Sequence, residues 1–187
     1  MTRRSKEISS SDRPGEPRSG DAAQELLERN GWRIGIHAQL LLQIEKLGDA
    51  AERESREDGP RPASQILASI TKLMLDDVPQ DPTRAIYRQG NTLGITHKHW
   101  FRAKFGNGRY RLFFRFRTSA RIIVFAWVND ERSLRTYGSR TDAYATFQRM
   151  LDSGSPPDQW ETLLEESTAP DAMKRLAQLL IRIRSPK

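Results

Sequence analysis

Residues 101–117 read FRAKFGNGRYRLFFRFR. From His99 to Phe105 the chain alternates, Gly106-Asn107-Gly108 marks a tight turn, and Arg109 to Arg117 alternates again. Two alternating runs joined by a Gly/Asn turn predict a β-hairpin. Strand side chains point to opposite faces with period two. Arg109, Arg111, Arg115 and Arg117 therefore share a face with Phe113, and Tyr110, Leu112, Phe114 and Phe116 take the other. The pattern predicts one core face and one open cationic bed. After Thr118-Ser119-Ala120, residues Arg121 to Val128 are apolar on both faces, which predicts a central strand.

Outward from the hairpin, the elements are helical. Asp21 caps a predicted short helix through Arg29, stopped near Asn30-Gly31. A longer helix is predicted from about Ile36 to about Glu57, with Leu40, Leu41, Ile44, Leu47 and Ala51 on one stripe. Gly59-Pro60 breaks it, and Pro62 opens a second helix to about Asp77, ended by Pro79 and Pro82. Residues 84–95 read as loop with at most a short edge strand. A polar loop from Asn129 to Gly138 precedes a helix over roughly 141–153, a short helix after Pro156-Pro157-Asp158, and a last basic amphipathic helix opened by Thr168, Pro170 and Asp171. The fold class is α+β: an N-terminal αα-hairpin on a small, mainly antiparallel sheet, with C-terminal helices. Residues 1–20, with Arg3, Arg4 and Lys6 among Ser, Pro and Gly, read as a disordered basic arm; 21–167 form the domain and 168–187 a helical extension.

The charge is local. Between Asp81 and Asp130 stand ten Lys or Arg and no acid, out of 31 basic and 24 acidic residues in the chain, which leaves 21 against 24 elsewhere. Like charges side by side repel, so an acid-free, aromatic-rich sheet points to a polyanion partner, RNA above all. There is no cysteine, which excludes disulfides, thiolate catalysis and Cys-based zinc sites. No apolar run reaches the ~20 residues of a membrane span, and the N-terminus lacks the apolar stretch of a signal peptide. These features predict a cytoplasmic protein without membrane contact.

Three stretches carry a resemblance: Phe101 to Arg115; Trp127-Val128-Asn129-Asp130-Glu131 continuing through Leu134-Arg135-Thr136-Tyr137-Gly138 to Thr141-Asp142-Ala143-Tyr144; and Pro156-Pro157-Asp158 to Trp160-Glu161. The chain resembles the RelE superfamily of bacterial toxins and, within it, toxins of the YhaV type, from about Gly31 to Glu165. The resemblance implies a RelE-like fold and an endoribonuclease acting on mRNA, free or ribosome-bound. It also implies neutralisation by a PrlF-like antitoxin of the AbrB-like kind, and repression of operator DNA by the toxin–antitoxin complex. It assigns functional cations to Arg102, Lys104 and Arg111, a tyrosine to Tyr137, and a C-terminal arginine to Arg135, with Arg132 competing.

RNA carries its own nucleophile, the 2′-hydroxyl, so a nuclease must move two protons and stabilise charge on phosphorus. The acid-free block lacks the oxygen ligands that magnesium prefers, which predicts metal-independent chemistry with no cofactor. Lys104, crowded by cations, is a better candidate base than Arg102, and both have phosphate holding as the competing role. Arg109, Arg115, Arg117, Lys98 and Arg132 are candidate RNA-binding residues, and Phe113 either stacks on a base or meets a helix. His97 and His99 form an alternative acid/base pair in the style of pancreatic ribonuclease. The rival functional readings are a non-catalytic nucleic-acid-binding protein and a module that receives an acidic peptide.

Overall fold

The computed structural model describes residues 27–134 and 142–184. Its centre is a five-stranded sheet of β1 (Glu28–Arg29), β2 (Trp32–Ile36), β3 (Phe101–Phe105), β4 (Tyr110–Arg117) and β5 (Ile122–Val128), in the order β1-β2-β5-β4-β3. The predicted hairpin is β3–β4, with Lys104 opposite Arg111 and Arg102 opposite Phe113. Its turn needs left-handed backbone at Gly106, Asn107 and Gly108, whose φ values are +57°, +54° and +77°, and Gly and Asn adopt that region at least cost. All seven residues of β5 are buried, as expected of a central strand. The sheet is mixed: β5 pairs antiparallel with β4 and parallel with β2.

The expected helix from Asp21 to Arg29 is not borne out at its end, because Glu28 and Arg29 pair with β2 across an Asn30-Gly31 turn. Ile36 closes β2 instead of opening a helix. The helix α1 (Ala38–Glu54) starts after His37, whose Nδ1 accepts from the Gln39 amide. Helix α2 (Pro62–Lys72) runs on through a π-helical turn (Leu73–Asp77) into a last turn, Val78–Gln80. Pro79 does not end it: proline is tolerated at the start of a helical turn. The chain then forms a short 3₁₀ turn (Ala85–Tyr87), followed by α3 (Ala143–Asp152), α4 (Trp160–Ser167) and α5 (Pro170–Arg184) in the C-terminal part.

Helices cover both faces of the sheet. On one, α1, α2 and α5 bury Leu40, Leu41, Ile44, Ile70, Met74, Leu176 and Leu180 against Ile34, Ile36, Phe114, Ile123 and Phe125. The last helix thus docks on its own domain, tied to α1 by Arg175–Glu45 and by Arg182 to Asp49 and Glu52. On the other face, Tyr144, Phe147 and Leu151 of α3 and Trp160 and Leu163 of α4 pack on Trp100, Phe113, Val124 and Trp127. Gly35 lets the end of α4 approach: a Cβ there would stand 3.2 Å from the Ser167 carbonyl oxygen.

This second layer corrects the expected open cationic bed. The face bearing Arg111, Phe113 and Arg115 lies beneath α3 and α4, and its arginines are accommodated by aromatic rings. Arg111 lies 5.4 Å from the Tyr144 ring centre, and Arg115 lies 5.4 Å and 5.3 Å from those of Trp100 and Trp160. Guanidinium stacking of this kind makes a cationic sheet face compatible with a core. Phe113 meets the helix rather than a base: it is fully buried, with its ring 4.2 Å from that of Phe147.

Candidate functional site: a cationic strand edge and a histidine–aspartate cluster

β3 is one of the two edge strands of the sheet, and five exposed cations stand on it, next to it in sequence or on the adjoining segment 84–88. Lys104, Arg109, Lys98, Arg84 and Arg88 are all exposed. A cleft of about 650 Å³ lies at this edge, lined by Arg84, Arg88, Arg102, Lys104 and the backbone turn at Ala85–Tyr87. Tyr87 forms its floor, buried edge-on against Phe114, with its hydroxyl donating to the Asp77 carbonyl at 3.2 Å. The one carboxylate on the wall, Asp77, is paired with Lys72. Such a surface concentrates anions, because four cations converge with little to neutralise them.

Arg102 and Arg111 are held differently. Arg102 is 9% exposed; its Nε donates to the Tyr144 hydroxyl at 2.9 Å and its Nη1 to the Ile86 carbonyl. Arg111 is 5% exposed; its Nη1 donates to the Gly108 carbonyl at 2.8 Å, and its Nε has no partner among the described residues. Both brace the hairpin against α3 and the cleft wall. Lys104, across from Arg111 on the hairpin, reaches solvent.

The Asn129 loop has a structural reason that composition did not disclose. Asn129 is buried; its Oδ1 accepts from the Arg111 amide at 2.5 Å, and its Nδ2 donates to the carbonyls of Arg109 and Ser133, both at 3.1 Å. Asp130 caps the turn Glu131–Ser133 through the Arg132 and Ser133 amides, leaving Arg132 exposed. Tyr137 and Arg135 lie outside the described residues.

At the other end of β3 a second cluster forms. Buried Gln89 staples the preceding loop, donating to the His97 carbonyl at 3.1 Å and accepting from the Leu93 amide at 3.0 Å. This sets His97 and His99 around Asp158, in the segment just before α4. His99 Nε2 lies 2.7 Å from Asp158 Oδ1, the Trp100 indole N–H donates to the same oxygen at 2.7 Å, and His97 Nε2 stands 3.9 Å from Oδ2. The Asp158 segment is itself fixed: Arg115 Nη1 donates to the Asp158 carbonyl at 2.5 Å, and Gln39 Nε2 donates to Ser155 Oγ at 2.7 Å. Partial burial pushes the Asp158 carboxyl up, but the bonds from His99 and Trp100 and the nearby imidazoles outweigh it and hold it below the ordinary aspartate range. Burial likewise lowers the Arg115 guanidinium. The sequence presented the two histidines as a pair, but Asp158 lies 59 residues beyond His99 and carried no signal linking it to them. Among the described residues no three His, Cys, Asp or Glu side chains are grouped to hold a metal ion.

The comparisons with known proteins bear on what this surface is for. A model of a toxin family, described as toxin with endonuclease activity, of toxin-antitoxin system, matches residues 35–168. The chain belongs to the YhaV toxin family. The ribonuclease toxin YhaV of Escherichia coli K12 is 40% identical over 147 residues, which cover 74% of this chain and 93% of that protein. Toxin YhaV of E. coli O157:H7 is 40% identical and that of E. coli O6:H1 39%, over the same shares. No solved structure matches. The YhaV match takes in both halves of the site, the cationic edge and the His97–Asp158–His99 cluster, and ends where α5 begins to dock. No helix among the described residues is long and apolar enough to cross a membrane.

Proposed function

We propose that this protein is the toxin of a type II toxin–antitoxin pair and an endoribonuclease that cleaves mRNA without a metal ion in the cytoplasm. The observation that carries this reading is the cation-rich edge of β3, where Arg84, Arg88 and Lys104 line a cleft whose one carboxylate, Asp77, is paired with Lys72, and where Lys98 and Arg109, just before and just after the strand and its turn, are exposed as well. An RNA backbone laid along it meets a cation at each step, and single-stranded message fits an edge better than a duplex does. Lys104 grips phosphate there; Arg102 and Arg111, already bonded to the protein, keep the hairpin in place. Tyr137 and Arg135 complete the substrate contacts, as the family resemblance suggests. The 2′-hydroxyl is the nucleophile, so the protein needs to supply only proton transfer and charge stabilisation. A PrlF-like, AbrB-type antitoxin neutralises the toxin by covering this edge, and the pair represses its own operator DNA. Message is attacked either free or on the ribosome.

The test is incubation of purified protein with a defined mRNA in EDTA, with and without ribosomes, and separately with the cognate antitoxin. Fragments in EDTA that disappear on adding antitoxin are the expected result, and cleavage with ribosomes alone identifies the ribosome-bound form as substrate. Tight RNA binding without fragments in either setting overturns the enzyme reading in favour of a binding protein.

A further inference from the structure

The His97–Asp158–His99 cluster needs a reason. Two imidazoles and a carboxylate meet at a partly open surface, with side chains 13%, 37% and 38% exposed for His97, His99 and Asp158. A clamp that only pinned the loop would be served by the Trp100–Asp158 bond and by Gln89. The imidazole rings are 6.2 Å apart between centres, close enough for both to reach one phosphodiester. The charged groups facing them are Asp158 itself, Arg115 from β4 beneath its carbonyl, and Lys98 between them in sequence. Arg117, paired with Glu161 of α4 at 3.2 Å, lies at the border.

Resting on the ribonuclease reading above, we propose that His97 and His99 are the general base and general acid of RNA cleavage, with Asp158 as the positioning residue. The hydrogen bonds distinguish the two roles. A carbonyl can only accept, so His97 Nδ1, 3.0 Å from the Leu93 carbonyl, carries the hydrogen, and in the neutral ring Nε2 is left with its lone pair. That nitrogen takes the proton of the 2′-hydroxyl. In its protonated form His99 donates from Nε2 to the Asp158 carboxylate, 2.7 Å away, and presents Nδ1–H as the acid. The 2′-oxygen forms a bond to phosphorus, the P–O5′ bond breaks, and His99 delivers its proton to the departing O5′. The products are a 2′,3′-cyclic phosphate and a 5′-hydroxyl end, with the proton count conserved. Lys98 and the cations of the β3 edge hold the non-bridging oxygens.

The experiment uses the full chain and its His97→Gln, His99→Gln and Asp158→Asn variants on two RNA substrates, one ordinary and one with a bridging 5′-sulfur at the cleaved bond. Sulfur departs without protonation and so does not need the acid. We expect about 10²–10⁴-fold slower cleavage of ordinary RNA for each histidine variant. On the sulfur substrate, His99→Gln should recover most of its loss and His97→Gln should not. Asp158→Asn should shift the alkaline limb of the pH–rate profile downward, which loss of a mere loop clamp would not do. Melting curves and RNA retention on filters check folding and binding. For any variant that does not fold, the wild-type profile replaces it: two limbs are expected, and a rate independent of pH between 5 and 9 overturns the proposal. Folded histidine variants that cleave within about threefold of wild type also overturn it while the ribonuclease reading stands. Absence of cleavage by wild type overturns that reading and this proposal together.

Discussion

Replacing Asn129 by alanine removes three hydrogen bonds at once, at the place where β5 runs out. The last β4–β5 pair is Leu112 with Val128, so the next amide of β4, that of Arg111, has no strand partner, and the Asn129 side chain extends the ladder by one step. Without it a buried N–H is orphaned, which costs about 1–3 kcal/mol, and each of the two lost donations, to Arg109 and Ser133, adds about 1 kcal/mol. Water entering the space vacated recovers part of this, so a net loss of about 3 kcal/mol is expected. In a chain of this size each kcal/mol moves the melting temperature by about 2–4 °C, which gives a fall of about 6–12 °C. Urea denaturation followed by far-ultraviolet circular dichroism is the second assay: the midpoint should drop with an unchanged m value. Arg132→Ala, at an exposed site in the same loop, is the control and should stay within about 0.5 kcal/mol. A loss below about 1 kcal/mol for Asn129→Ala would refute the reasoning, because the Arg111 amide would then have another acceptor.

His37 is buried, and that burial, opposed by the bond its Nε2 donates to the Glu166 carboxylate at 3.2 Å, keeps its imidazole below the ordinary value of 6.5. The folded state thus resists a proton that the unfolded chain takes up, so stability present above about pH 6.5 is lost as the pH falls; His37→Asn, which keeps a cap for α1, should lose less on going from pH 7.5 to 5.5 in thermal melts. Gly48→Ala should raise stability by up to about 1 kcal/mol, because a helix interior favours alanine. The new Cβ meets first the flexible tip of Arg182, at 2.6 Å, and a lowered melting temperature would show that α5 cannot yield. In RNA binding, the Arg88→Ala/Lys104→Ala double variant should flatten the salt dependence by about 1.4 in slope, two single-strand phosphate contacts; an unchanged slope by fluorescence anisotropy would remove both residues from the RNA track.

The parts of this fold that local rules govern were legible. The β3–β4 hairpin announces itself through alternation and three residues suited to left-handed backbone. The apolar stripes of α1, α2 and α3 have helical period, and β5 is apolar throughout. What the sequence concealed was what lies on top of what. Alternation places Arg111, Phe113 and Arg115 on one face but does not say whether another layer covers it, and the aromatic residues that make burial tolerable, Tyr144 and Trp160, come from distant helices. Strand β2 was hidden because Trp32-Arg33-Ile34-Gly35-Ile36 is short and its partner in the sheet, β5, is remote. Exposed Lys104 stood out in the candidate site, and the histidines did as a pair, whereas Asp158 did not, since a three-residue motif after a helix names no partner.

The parallel pairing of β2 with β5 sets an order on how the chain comes into being. Arg33 must wait for Ile122 before its strand can join the sheet, and His99 must wait for Asp158. Long-range pairings of this kind close late, after local helices have formed. On an elongating polypeptide the hairpin of α1 and α2 can form early, but the cationic edge lacks its supporting sheet, and the histidine cluster lacks its carboxylate, until α4 is about to be made. A nascent copy therefore has neither a completed sheet behind its cationic edge nor a carboxylate between its two histidines until the chain has been made through Asp158.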